Sequence, residues 1–167
     1  LPQLGYTILG YNSYDNLGYS LAGTGDFNGD NVADVAIGAY KASTDNGVGS
    51  GLCVILFGGR PAGLVDLSML DWGSEGVLIM GEYGYNQASI TLSRAGDINR
   101  DGLNDVIVGA RNASVDGKVG SGVAYIVFGR SNSSSVVSII DLRTISSGVG
   151  GYRISGFNGT GTASALA

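Results

Sequence analysis

Short apolar runs closed by glycine recur from one end of this chain to the other. The runs at 34–39, 51–58, 105–110 and 122–129 are almost continuously apolar, as Leu52-Cys53-Val54-Ile55-Leu56-Phe57 illustrates. They are too short and too rich in β-branched residues for helices, and they suit strands covered on both faces. More mixed runs lie at 6–10, 19–23, 77–81, 90–95 and 152–156, with a further candidate at 163–167. The pattern predicts two sets of four strands and the start of a third set, separated by tight turns. Segments 64–72 and 136–147 mix apolar and polar positions and are expected to form loops with a short helical turn or strand. The serine run 131–135 reads as a flexible connector.

The sets are copies of one another. Tyr6-Thr7-Ile8-Leu9-Gly10 answers to Val77-Leu78-Ile79-Met80-Gly81, 71 residues on, and Phe57-Gly58 answers to Phe128-Gly129 at the same offset. A third copy opens at Tyr152-Arg153-Ile154-Ser155-Gly156 after a four-residue insertion. The chain therefore divides into a first repeat over 1–76, a second over 77–151 and the start of a third over 152–167. Four short strands per repeat, stacked through apolar faces, make the blade of a β-propeller. The expected fold is all-β, with blades of four antiparallel strands. About two and a quarter repeats cannot close a propeller, so further blades from the same longer chain or from other copies are expected as partners. A β-solenoid is the rival, but its repeats are usually much shorter.

Composition narrows the chemistry. The net charge is −5, and 6 of the 14 acidic residues are Asp26, Asp30, Asp34, Asp97, Asp101 and Asp105, leaving 8 acids against 9 Lys and Arg. The acidity sits in two places and needs local compensation. No basic patch points to a nucleic acid. No apolar run of 18 residues indicates a membrane span. The chain opens at Leu1 rather than Met, as a processed or excised piece would, and no targeting segment is visible. Cys53 lies inside an apolar run and is expected to be a buried, inert thiol. The chain has no His, which removes the commonest general base, the usual triads and most zinc sites. Nothing resembles a nucleophile beside its base, so no enzymatic activity is expected.

The six aspartates belong to two matching loops, Gly25-Asp26-Phe27-Asn28-Gly29-Asp30-Asn31-Val32-Ala33-Asp34 and Gly96-Asp97-Ile98-Asn99-Arg100-Asp101-Gly102-Leu103-Asn104-Asp105. Oxygen side chains stand at loop positions 1, 3, 5 and 9, and each loop then enters an apolar strand. A hard cation such as Ca²⁺ takes six to eight oxygens in flexible geometry. The candidate ligands are Asp26, Asn28, Asp30, the Val32 carbonyl and Asp34, then Asp97, Asn99, Asp101, the Leu103 carbonyl and Asp105, for two calcium sites. Position 6 must turn sharply, which Asn31 and Gly102 tolerate. An EF-hand would need Glu at position 12, where Ile37 and Val108 stand. Magnesium prefers stricter octahedral shells. The plain alternative, Asx-rich turns without metal, must explain two copies in register.

On these residues the chain resembles the FG-GAP repeat family, the propeller repeats of integrin α subunits and other surface proteins. Leu17-Gly18-Tyr19-Ser20 stands for the family's aromatic-Gly element, and Gly38-Ala39-Tyr40 and Gly109-Ala110-Arg111 stand for G-A-P. Val54-Ile55-Leu56-Phe57-Gly58 and Tyr125-Ile126-Val127-Phe128-Gly129 complete the pattern. Ala88-Ser89-Ile90-Thr91 departs from the first element in the second repeat, and neither repeat has the proline of G-A-P. The resemblance implies calcium that braces hairpin loops on one rim, an extracellular or cell-surface setting, and a structural or adhesion role toward a protein or glycan ligand. An accessory propeller of a secreted hydrolase and a self-assembling ring or filament unit are the alternatives. Asn112, Asn132 and Asn158 open glycosylation sequons. Tyr6, Tyr11, Tyr14, Tyr19, Tyr83 and Tyr85 are expected to pack within strands and turns between blades rather than to form a binding surface.

Overall fold

The computed structural model describes residues 5–131 and 138–156. Eleven strands appear among them: β1 Tyr6–Leu9, β2 Ser20–Gly25, β3 Asp34–Ala39, β4 Leu52–Leu56, β5 Gly63–Asp66, β6 Gly76–Met80, β7 Thr91–Gly96, β8 Asp105–Ala110, β9 Val123–Val127, β10 Ile139–Asp141 and β11 Gly151–Ser155. A 3-10 turn at Leu67–Met69 and a short helix, α1 (Leu142–Ser146), follow β5 and β10. The mixed segments thus contain a short strand and then a helical turn. The candidate strand 163–167 and most of the serine run lie outside the described residues.

The strands form two blades and a remnant. The first sheet runs β10-β6-β4-β3-β2, the second β11-β9-β8-β7, and β1 pairs only with β5. Neighbours within each four-stranded blade are antiparallel. The blade and the sequence repeat are out of phase by one strand. By the bounds expected from the sequence β6 would open the second repeat and β11 the third, yet β6 closes the first blade and β11 the second. β10 then adds to β6 in parallel, as β5 adds to β1. β1 thus stands to β5 as β6 stands to β10.

Strand alternation explains the burial. In the first blade Ala36, Ile55 and Val77 share one cross-strand row, and Cys53 and Ile79 the next. This face packs on Leu92, Val106, Val108, Val123, Tyr125 and Val127 of the second blade to form the main core. The opposite face of the first blade, with Ile37, Val54 and Leu56, packs on Val65 and Leu67, with Ile8 and Trp72 at its edge. The blades approach most closely at β2 and β7, as a radial arrangement requires. Burial pushes the Cys53 thiol up to about 12, so it stays protonated and inert.

A polar cluster interrupts the inter-blade core. The Tyr125 hydroxyl donates to the Glu82 carboxylate, and the Arg153 guanidinium stands 3.4 Å from the same oxygen. Burial, reinforced by the Glu82 bond, raises the Tyr125 pKa well above its ordinary value. The counterparts one repeat earlier, Tyr11, Val54 and Leu78, include no ionic side chain.

The expected packing of the six tyrosines is seen only in part, with Tyr11 stacking on Trp72 and Tyr19 packing against Tyr40. All six are exposed, Tyr14 to 88% and Tyr85 to 73%. Tyr14 and Tyr85 hold matching positions 71 apart with φ of 69° and 61°. They sit in turns with left-handed backbone. Trp72 does pack, stacking on Tyr11 with ring centroids 6.0 Å apart.

Candidate metal centre

Each aspartate-rich loop joins the first two strands of a blade, β2 to β3 and β7 to β8, so both lie on one rim. A register shift precedes each loop, between Gly23 and Gly25 and between Arg94 and Gly96. Gly25 and Gly96 adopt φ of 77° and 76°, the left-handed bend that turns the chain out of the sheet. Within the loops, positions 4 and 6 also have positive φ: Gly29 and Asn31 in the first, Arg100 and Gly102 in the second. The sharp turn expected at position 6 is present in both.

The hydrogen bonds match almost residue for residue. Asp26 Oδ1 and Oδ2 accept the main-chain N–H groups of Asp30 and Asn31, at 3.1 and 2.8 Å. Asp97 accepts those of Asp101 and Gly102, at 3.1 and 3.0 Å. Asn28 Oδ1 accepts the Asp30 N–H and Asn99 Oδ1 the Asp101 N–H. Asp30 Oδ1 accepts the Val32 N–H and Asp101 Oδ1 the Leu103 N–H. The Asn28 and Asn99 amides donate to the Asp30 and Asp101 carboxylates at 2.9 and 2.7 Å. Positive partial charge thus faces the middle carboxylate of each loop, where three acids would otherwise repel.

Position 9 is anchored differently. Asp34 Oδ2 accepts the Phe27 N–H at 2.8 Å, and Oδ1 accepts the Gly58 N–H at 2.9 Å. Asp105 repeats this with Ile98 and Gly129, at 2.8 and 2.9 Å. Both carboxylates are buried. Burial lifts the Asp34 pKa above the ordinary value; the Gly58 and Phe27 amides pull it down, and the Asp30 and Asp26 charges push it up. Sequence reasoning missed Gly58 and Gly129 as partners of the loops. A Cβ on Gly58 would stand 2.3 Å from the Ala33 carbonyl oxygen, and one on Gly129 would stand 2.6 Å from the Leu103 Cβ. The repeated Phe-Gly pair was the available signal: only glycine lets that amide reach the aspartate.

In each loop the candidate side chains are hydrogen-bonded to main-chain N–H groups. Among the described residues, no three Asp, Glu, His or Cys side chains stand close enough to share an ion, because the carboxylates are turned onto amides. The donor set still fits a hard cation. Each loop offers three carboxylates, one amide oxygen and a main-chain carbonyl, and a carboxylate holding one or two N–H bonds keeps further lone pairs. Of the sequon asparagines, Asn112 is exposed on the opposite rim, donating to Gln87 Oε1 at 2.7 Å. Asn132 and Asn158 lie outside the described residues.

Comparison with known proteins gives the same repeat. The FG-GAP repeat pattern matches residues 17–52 and 93–127, each span containing one loop and the strands beside it. Integrin alpha-E of Mus musculus is 31% identical over 116 residues, covering 68% of this chain and 10% of that protein. Integrin alpha-PS2 of Drosophila melanogaster is 34% identical over 128 residues, 74% of this chain and 8% of that protein. The chain spans about a tenth or less of the length of these relatives. With the repeat matched twice in register on two antiparallel blades, the chain belongs to the FG-GAP repeat family.

Proposed function

We propose that this chain is a calcium-braced segment of an extracellular adhesion propeller, without enzymatic activity of its own. The observation that carries the reading is the identity of the two loops. The same donors meet the same acceptors at positions 1, 3, 5 and 9, within two family repeats. Asx turns alone require no such repetition. The proposed ligands are Asp26, Asn28, Asp30, the Val32 carbonyl and Asp34, and their second-repeat counterparts Asp97, Asn99, Asp101, the Leu103 carbonyl and Asp105. When bound, Ca²⁺ would neutralise the three carboxylates and stiffen the rim. Resemblance to integrin α subunits supports the cell-surface setting, a protein or glycan ligand, and glycans at Asn112, Asn132 and Asn158. Among the described residues no helix is long and apolar enough to cross a membrane.

Calcium affinities of extracellular modules lie around 0.1–1 mM. At about 2 mM calcium, a site at the tighter end stabilises the folded state by about 2 kcal/mol through mass action. Two sites shift the melting temperature by several degrees in a chain of this size. Thermal melts in calcium and in excess chelator test this. The expected result is a higher melting temperature with calcium, with a smaller gain from magnesium. A melt indifferent to both rejects the reading.

The uncovered face of the second blade points to a further blade. Ile107, Ile126 and Tyr152 form a cross-strand row with Ala124 and Ile154 beside it. Their first-blade counterparts, Ala36, Ile55, Val77, Cys53 and Ile79, are the residues buried against the second blade. Tyr152 and Ile154 are instead exposed. A following FG-GAP blade is the proposed cover.

A further inference from the structure

We propose that Asn104 couples the two cation loops, so that filling one raises the affinity of the other. The proposal rests on the calcium reading of both loops and adds a thermodynamic link between them. Asn104 is position 8 of the second loop, between two of its proposed ligands, the Leu103 carbonyl and Asp105. Its main-chain N–H donates to the Asp26 carbonyl oxygen at 2.8 Å, and its side-chain amide donates to the same oxygen at 3.3 Å. Asp26 is position 1 of the first loop. One peptide oxygen thus joins the first ligand position of one loop to the segment carrying the last two of the other.

Arg94 fixes the amide. Its Nε and a terminal nitrogen donate to Asn104 Oδ1 at 3.1 and 2.6 Å. Because a guanidinium only donates, it holds the oxygen and leaves the amide N–H for Asp26. The pair lies directly over Gly25, where a Cβ would stand 2.8 Å from the Asn104 Cγ. One residue further on, the Arg130 N–H donates to the Phe27 carbonyl at 2.9 Å. The device is confined to this junction: Gly23 and Ala33 hold the corresponding places in the first repeat. The first loop has no side chain with which to make the same tie to a preceding blade.

A cation in the second loop orders 103–105 and, through the tie, the Asp26 peptide. The first loop then loses less conformational freedom on binding, which is positive coupling. Linkage makes the effect reciprocal. Calorimetric titration of the whole chain with calcium tests it, using Asp30→Asn to disable the first loop and Asp101→Asn the second. The expected result is that disabling either loop weakens calcium at the other about fivefold or more, by the same factor in both directions. In an Asn104→Ala background both factors fall, with the main-chain bond from residue 104 to Asp26 retained; unchanged factors there overturn the role of the Asn104 side chain. That variant copies Ala33, which the first loop already tolerates. Arg94→Ala, changing an exposed side chain, reduces the coupling part of the way. Amide hydrogen exchange gives a second readout: in Asp101→Asn, calcium at the first loop alone slows exchange of the Asn104 amide. Two calcium ions bound with affinities indifferent to the other loop overturn the coupling and leave the calcium reading standing. No calcium uptake by the unaltered chain overturns both.

Discussion

The aspartates of one loop do two different jobs, and position decides which. Asp34 and Asp105 are buried, and each binds two main-chain N–H groups, one from the loop and one from the segment after the third strand of the blade. Removing the carboxylate takes that acceptor from both amides, at about 1–3 kcal/mol for each group left buried and unpaired. Asp30 and Asp101 are exposed and accept N–H bonds that an amide oxygen can also accept. Asp34→Ala and Asp105→Ala are therefore expected to cost about 2–4 kcal/mol even in excess chelator. Asp30→Asn and Asp101→Asn are expected to cost less than about 1 kcal/mol there, while abolishing the calcium gain at their own loop. Urea melts with and without calcium separate the two classes. Equal costs for all four in chelator would mean that position 9 has no role in the fold beyond that of position 5.

At the scale of elements, the short segment after each parallel strand is pinned by an aspartate at its start. Asp141 caps α1 by accepting the Arg143 N–H at 2.9 Å, and it takes the Asn46 amide at 2.9 Å from the loop between β3 and β4. Partial burial alone would raise its pKa, but the bonds from the Arg143 side chain and main chain and from Asn46 outweigh it and lower it. A depressed folded-state pKa adds stability above the unfolded carboxylate value and loses it as pH falls toward the folded value. Asp141→Ala should cost about 1–2 kcal/mol near neutral pH. The gap between variant and parent, followed by melts at stepped pH, should narrow below the ordinary carboxylate pKa. A gap independent of pH would show that the charge of Asp141 contributes nothing. The strands themselves were legible because Val, Ile and Leu run unbroken between glycines, and the loops because oxygen side chains recur at fixed steps. Strand partners were not. That β6 closes the first blade, where the expected bounds would have it open the second repeat, depends on which edge lies open in space, and no local pattern encodes it. Residues 14 and 85 misled for a related reason: tyrosine fits a core or a rim, and the positive φ at both is a property of the turn.

Among the described residues the outer face of each blade is left partly uncovered, and one pair of equivalent leucines measures this. Leu21 on β2 and Leu92 on β7 occupy the same place in successive blades, yet Leu21 is 65% exposed and Leu92 only 7%. The difference is the preceding blade: the first blade covers Leu92, and only the β1–β5 remnant stands in the corresponding position before Leu21. A second copy stacked head to tail does not simply supply that cover. Its β1 and the β11 of the copy before it answer to one strand position, so such stacking requires one of them to leave its sheet. A further blade of a longer chain meets no such conflict. Leu92→Ala should then cost about 2–5 kcal/mol, as truncation of a core leucine does, and Leu21→Ala should stay within about 0.5 kcal/mol. When one more FG-GAP repeat is joined upstream, the cost at Leu21 should rise toward that at Leu92, because the same apolar surface is then removed from water. Equal costs in the 167-residue chain, with sedimentation showing a dimer, would mean that copies exchange strands to cover each other and that the longer-chain reading of the open face is wrong.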